Sequence, residues 1–329
     1  MRRDRTTPIA AVALILTVAA LIAPAAAAEK VSLRLDWSYW GGHAPFFVAV
    51  EKGFFAKRGL EVAVQDGKGS RITATVVGEG KDDFGFADST SVATLISQGL
   101  SAKVIAVIMG KNPNGIVFLE GTEIRTPKDL EGKTLGTSPG GSDATLLTAF
   151  LTKTNVDAGK VKLEKMPGDA KPAALLARKV DGISSQGFYN MPILESQGAR
   201  PRELLYADFG LAGLNYGLFT STRMIKEKPD TVRRFLAAAL DGWDYAIKNT
   251  DEAIGILKKH VPLIDVTVAR KQFLNTQKLL RTKNTDGKPL GWQSAEDWKE
   301  TLDVLENFAG MKGRLPVEAY FTNEFLERP

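Results

Sequence analysis

The chain of 329 residues has no cysteine and only two histidines. Without thiols there is no disulfide framework, no cysteine nucleophile and no cysteine-ligated metal site. The two imidazoles, His43 and His260, do not form a His-Glu-x-x-His pair. His260 stands just before Pro262 at an expected helix end, where complementing the helix dipole at the surface accounts for it. A P-loop, a Gly-x-Ser-x-Gly turn and a dinucleotide-binding glycine fingerprint are all missing, and no paired-carboxylate spacing stands out. No cofactor or metal is therefore implied. A strong excess of one charge is also lacking. The formal net charge is +5, with acidic and basic residues interspersed, which excludes a nucleic-acid patch and a polybasic membrane tract.

Long apolar runs are scarce too, with one exception at the amino terminus. Arg2, Arg3 and Arg5 precede an apolar stretch from Ile9 to Ile22, and Ala26-Ala27-Ala28 follows as a small-residue cleavage site before Glu29. Residues 1–28 read as a secretory signal peptide. The run falls short of the roughly 20 residues a spanning helix needs, and no cysteine follows it for lipid attachment. The expected mature chain is soluble and extracytoplasmic, with a net charge of about +3. Its roughly 300 residues suffice for a fold that stands on its core without disulfides.

What the mature chain does contain is an alternation of strands and helices. Val31, Leu33 and Leu35 alternate with polar residues, and Pro45 opens a helix that stops at Gly53. Further strands are expected at 61–64, 84–87, 104–109, 116–119, 133–137, 161–163, 181–185 and 216–220. Helices are expected at 71–77, from Asp88-Ser89 to about Gly99, at 144–152 and at 168–177. From Pro229 the pattern is helical, over 231–248, 251–260, 267–280 and 294–308, with Asp251 and Ser294 at cap positions. The sum is an α/β fold with sheets flanked by helices.

The polar and aromatic residues with candidate roles gather where strands hand over to helices, which is where such sheets bind ligands. The first group is Trp37, Tyr39, Trp40 and His43, with Gly41 and Gly42 between them. Flat rings there suit a flat or partly apolar ligand, and packing of a core end is the plainer alternative. Asp88 and Ser89 stand at a helix start, where capping and ligand contact are equally good readings. Ser138, Gly141 and Ser142 form a turn into a helix whose backbone N–H groups can meet an anionic or carbonyl group. Phe188 and Tyr189 follow the strand 181–185 and either stack on the same ligand or face the core.

Leu35-Asp36-Trp37, His43-Ala44-Pro45-Phe46-Phe47, Glu51-Lys52-Gly53-Phe54-Phe55, Phe84-Gly85-Phe86-Ala87-Asp88 and Asp129-Leu130-Glu131-Gly132-Lys133 together resemble the signatures of the NMT1/THI5-like group of periplasmic solute-binding proteins, related to sulfonate, taurine and nitrate binders. The resemblance implies a two-lobed, hinged (type II) periplasmic binding protein fold, each lobe a mixed sheet with flanking helices. Lobe one would be 29–118 plus 217–329 and lobe two 119–216. It implies a monomer that takes a small heterocyclic or aromatic solute, similar to a thiamine pyrimidine, between the lobes and delivers it to the membrane subunits of an ABC permease. Trp37 and Tyr189 would supply the rings and Asp88 the carboxylate. Two alternatives stand beside this: a sulfonate, taurine, nitrate or aromatic carboxylate ligand on the same fold, and an exported enzyme using His43 with Asp88. The cysteine-rich motif of the pyrimidine synthases is absent, which speaks against that enzymatic branch.

Overall fold

The computed structural model describes residues 27–138 and 142–326. The expected signal peptide up to residue 26 and Gly141 lie outside the described residues, as does the side chain of Ser142. Ten strands run through the described residues. They are β1 Glu29–Arg34, β2 Leu60–Gln65, β3 Phe84–Asp88, β4 Ala102–Val107, β5 Asn114–Leu119, β6 Thr134–Thr137, β7 Lys162–Lys165, β8 Gly182–Gln186, β9 Pro201–Leu205 and β10 Tyr216–Ser221. The helices between the strands are α1 Ala44–Glu51, α2 Ser70–Gly78, α3 Ser89–Ser97, α4 Ser142–Lys153, α5 Lys171–Leu176 and α6 Gly187–Ser196. After β10 come α7 Thr222–Glu227, α8 Pro229–Lys248, α9 Thr250–His260, α10 Val266–Gln277 and α11 Ala295–Phe308.

The strands form two five-stranded mixed sheets with matching plans. The orders are β2-β1-β3-β10-β4 and β7-β6-β8-β5-β9. In each, three neighbouring strands are parallel, and a strand fed in from a crossing segment, β10 or β5, lies antiparallel to its neighbours. Strand β5 pairs with β8 and β9 and so belongs to the second sheet. The chain therefore crosses between sheets before Asn114, which moves the expected division after residue 118 earlier. The return crossing precedes Tyr216, the first residue of β10.

The first sheet is covered by α1, α8 and α9. Their apolar faces bury Phe46, Phe235, Leu240 and Trp243, and Phe84 stacks on Phe235 at 3.7 Å between ring centroids. The last helix, α11, sets Trp298, Leu302 and Leu305 into a core shared with Val104 and Ile116, one from each sheet, and with Phe150 of α4. Ser294 caps α11, its Oγ accepting the N–H groups of Glu296 and Asp297, as the spacing predicts. Asp251 instead sits in the first turn of α9, which starts one residue earlier. Among the described residues, no helix is long and apolar enough to cross a membrane.

Candidate functional site

The carboxyl ends of the parallel strands of both sheets face one another across a cavity of about 60 Å3. From the first sheet it is lined by Asp36 and Trp37 just beyond β1, Trp40, Ser70 at the start of α2, and Tyr216. From the second come Ser138 beyond β6, Lys171 on α5, Ser185 and Gln186 at the end of β8, and Tyr189 and Asn190 on α6.

Asp36 is the carboxylate of this cavity. It is buried, and its Oδ1 lies 2.7 Å from His43 Nε2. The Trp40 N–H points at His43 Nδ1 at 3.3 Å, so a neutral imidazole with its proton on Nε2 satisfies both contacts. His43 thus stands behind Asp36 and orients it. The Asp36 carbonyl accepts the Gly69 N–H, and the Leu35 carbonyl accepts the Thr73 hydroxyl, which pins the strand end.

Trp40 forms the inner wall. Its ring is buried, with Tyr189 edge-on at 6.0 Å and Phe188 and Tyr216 tilted at 5.2 and 6.1 Å. A Cβ on Gly42 would lie 2.0 Å from that ring, so this glycine is required by close packing. Trp37 is the outer wall. It reaches from the first sheet to Gly168 of the second, where an added Cβ would come within 2.4 Å of the indole. Beyond this contact lies an outer chamber of about 580 Å3, lined by Trp37, Ser138, Lys68 and Lys165 among others. Trp37 therefore stands between the inner cavity and this outer chamber.

The hydrogen-bonding inventory is mixed. Two buried atoms at the cavity, Ser138 Oγ and Asn190 Oδ1, have no protein partner. Buried polar atoms are nearly always paired, so these two mark positions for groups from outside the chain. Lys171 is buried and its Nζ donates to the Ser184 carbonyl at 2.7 Å. The Tyr216 hydroxyl donates to Gln186 Oε1 at 3.1 Å, a bond between the two sheets. Burial pushes the Tyr189 hydroxyl up to about 12, with the Asp36 and Asp169 charges adding to it, so it is a neutral donor at any physiological pH. Gln272 on α10 ties the walls together: its Oε1 accepts the Gly41 N–H and its Nε2 donates to the Tyr189 carbonyl, both at 3.0 Å.

Several residues expected at the site sit elsewhere. Asp88 is the N-cap of α3, accepting from Ser91 N–H, Thr90 Oγ1 and Asn215 Nδ2 (2.6 Å), so its oxygens are committed inside the fold. Burial lifts its carboxyl to about 6. Ser89 is buried within the first turn of that helix, away from the cavity lining. Tyr39 packs edge-on against His43 and Phe47, outside the cavity. Phe188 is not part of the cavity lining; its ring packs behind it, 5.2 Å from that of Trp40. His43 bonds Asp36 rather than Asp88, so the expected His43/Asp88 pair is not formed. Gly41 and Gly42 are buried packing positions. Gln186 and Asn190, in the junction stretch 186–190 that the sequence marks, do line the cavity, whereas Asp36, Lys171 and Tyr216 carry no such mark. Among the described residues no cluster of metal-ligating side chains occurs.

Residues 40–253 match the NMT1/THI5-like family. The chain belongs to that family. This NMT1/THI5-like protein is 26% identical over 307 residues to the riboflavin-binding protein RibY of Chloroflexus aurantiacus, covering 91% of this chain and 86% of the relative. It is 24% identical over 287 residues to the formylaminopyrimidine-binding protein of Halalkalibacterium halodurans, covering 85% and 86%. In fold it is similar to the alkanesulfonate-binding protein SsuA from Xanthomonas axonopodis pv. citri bound to MOPS, with a TM-score of 0.70, 16% identity and coverage of 89% of this chain and 99% of that one. The NMT1/THI5-like chain thus has the periplasmic binding protein fold.

Proposed function

We propose that the protein is the extracytoplasmic solute-binding subunit of an ABC importer, and that its solute is a single-ring nitrogen heterocycle carrying an amino group and a hydrogen-bond acceptor. The observation that carries this reading is Asp36, a buried carboxylate held by a neutral His43 at the edge of an aromatic-walled cavity. A carboxylate without a cationic partner there favours N–H donors on the ligand. Lys171 and Ser138 across the cavity suit the acceptor end, and Trp37, Trp40 and Tyr189 suit the ring. The names of RibY and of the formylaminopyrimidine-binding relative agree with a nitrogen heterocycle. Size favours the smaller of the two. The cavity volume of about 60 Å3 is under half the roughly 150 Å3 of an apolar cavity that takes benzene. One ring enters with a modest movement of Trp37, whereas a tricyclic flavin needs the chamber opened far wider.

The two sheets act as lobes, divided in this reading near residues 108–113 and 211–215, and the Trp37–Gly168 contact closes the mouth. Binding favours the closed form to the extent that the ligand touches both lobes. The protein is exported by its leader, works as a monomer and hands its solute unchanged to the permease. A second reading, a sulfonate ligand, is favoured by one feature, the buried Lys171 ammonium. The test is a thermal-shift panel of a 4-amino-2-methylpyrimidine, its N-formyl derivative, riboflavin and an alkanesulfonate, followed by mass spectrometry of the recovered ligand. The aminopyrimidines are expected to raise Tm most and to return unchanged. A larger shift with the sulfonate supports the second reading, and an altered ligand overturns the binding role.

A further inference from the structure

On the far side of the two crossing segments lies a second and larger cavity, of about 750 Å3. Gly110 and Pro113 of the first crossing and Ala212 and Gly213 of the second both line it. The remaining walls come from α6, β9, the end of α10 and the start of α11. Phe188, Met191, Leu205 and Leu279 give it apolar surface, with charged side chains around them.

Of the four acids on its walls, Glu195, Glu203, Asp297 and Glu300, the last is exposed and Glu203 is half-buried with no side-chain partner among the described residues. Glu203, on β9, accepts the Gly187 N–H at 2.9 Å through Oε1, and among the described residues no Lys or Arg pairs with it. Its second oxygen has no protein donor. The neighbouring acids are differently placed: Glu195 pairs with Lys271, and Asp297 accepts from Thr282 and Asn284. Of the cavity's lysines, Lys278 donates to Asn275, and Lys111 and Lys283 are exposed. Burial raises the Glu203 carboxyl to about 7, the signature of a carboxylate whose countercharge is not supplied by the chain.

We propose that this cavity is a second ligand site, for a small primary amine with an aromatic or branched apolar body, whose ammonium group pairs with Glu203 while the body lies against Phe188, Met191 and Leu205. An apolar cavity with one convergent polar group is the usual form of a small-molecule site. An occupant has two routes to the first cavity. Both crossings border it, so it is sensitive to any bend between the lobes. Phe188 forms its wall and also packs 5.2 Å from Trp40. Coupling between the sites, where present, is reciprocal.

The experiment is titration calorimetry of the full mature chain with 2-phenylethylamine and with its neutral counterpart 2-phenylethanol. The wild type is expected to bind the amine at one site and the alcohol at least about tenfold more weakly, since an ion-paired hydrogen bond is lost. Glu203→Gln keeps the acceptor for Gly187 and is expected to weaken amine binding by about tenfold or more. Asp36→Asn, which alters the first cavity, is expected to leave it intact. The proposal is overturned by no amine binding, by equal binding of amine and alcohol, by indifference to Glu203→Gln, or by loss of amine binding in Asp36→Asn, which places the amine in the first cavity. Failure of the first cavity to bind a heterocycle leaves each of these outcomes readable.

Discussion

Replacing Asp36 by asparagine isolates the charge on which the ligand reading depends. The side chain is buried, and its Oδ1 sits 2.7 Å from His43 Nε2. An amide oxygen in the same place still accepts the imidazole N–H, and Gly69 N–H still reaches the residue 36 carbonyl. The fold therefore changes little, by about 1 kcal/mol or less, the net worth of one neutral hydrogen bond. The ligand loses a charge-assisted bond from its amino group, worth about 1.5–3 kcal/mol, or about 10- to 150-fold in Kd. An alkanesulfonate provides the control of sign. Removing a negative charge from the cavity leaves its affinity unchanged or improved. The assay is titration calorimetry of wild type and Asp36→Asn with a 4-amino-2-methylpyrimidine and a propanesulfonate, with Tm followed alongside. The reasoning fails if the pyrimidine binds both forms equally, or if both ligands weaken together.

Three other substitutions probe different parts of the account. Gly168→Val sets a branched side chain where the Trp37 indole now lies 2.4 Å from a Cβ position; stopped-flow release of ligand is expected to be faster, with Tm of the ligand-free protein little changed. Gln272→Leu removes both bonds that tie Gly41 to the Tyr189 carbonyl; ligand affinity is expected to fall about tenfold, and the loss to shrink in a Trp40→Ala background, where the positioned ring is gone. Glu203→Gln is expected to be stabilising above neutral pH. The folded carboxyl titrates at about 7 against 4.5 for the free group, so the wild type loses stability as pH rises from 4.5 to 7, by about 3 kcal/mol in total. The variant's higher Tm at pH 8 should vanish at pH 4, and an advantage that persists at pH 4 contradicts the burial argument.

Much of the fold was legible because its signals are local. The alternation in β1, the Pro45 start of α1 and the Ser294 cap of α11 depend only on neighbours in sequence. Helix α6 and strand β9 were not read. Gly187 at its start and Pro192 inside it mark α6 as a loop by composition, and β9 is a short, polar edge strand. At the site, the aromatic loop was legible, but its carboxylate was misplaced. Asp36 looked like one more polar residue in an alternating strand, although its position at the carboxyl end of β1 was a signal. Asp88 carried the same signal, and the competing reading prevailed: three donors inside the fold engage it as a helix cap. Lys171 had no signal at all, since the Ser184 carbonyl that it meets lies on β8, remote from its own helix α5 in the local pattern.

The central claim is that Asp36 and the rings around it receive an amino-bearing heterocycle. A crystal structure of the protein with a 4-amino-2-methylpyrimidine tests it most directly. The account predicts the amino nitrogen at hydrogen-bond distance, roughly 2.7–3.2 Å, from the Asp36 carboxylate, with the ring between Trp37, Trp40 and Tyr189. A ligand seated elsewhere, or one that meets Lys171 and leaves Asp36 without a new partner, contradicts it.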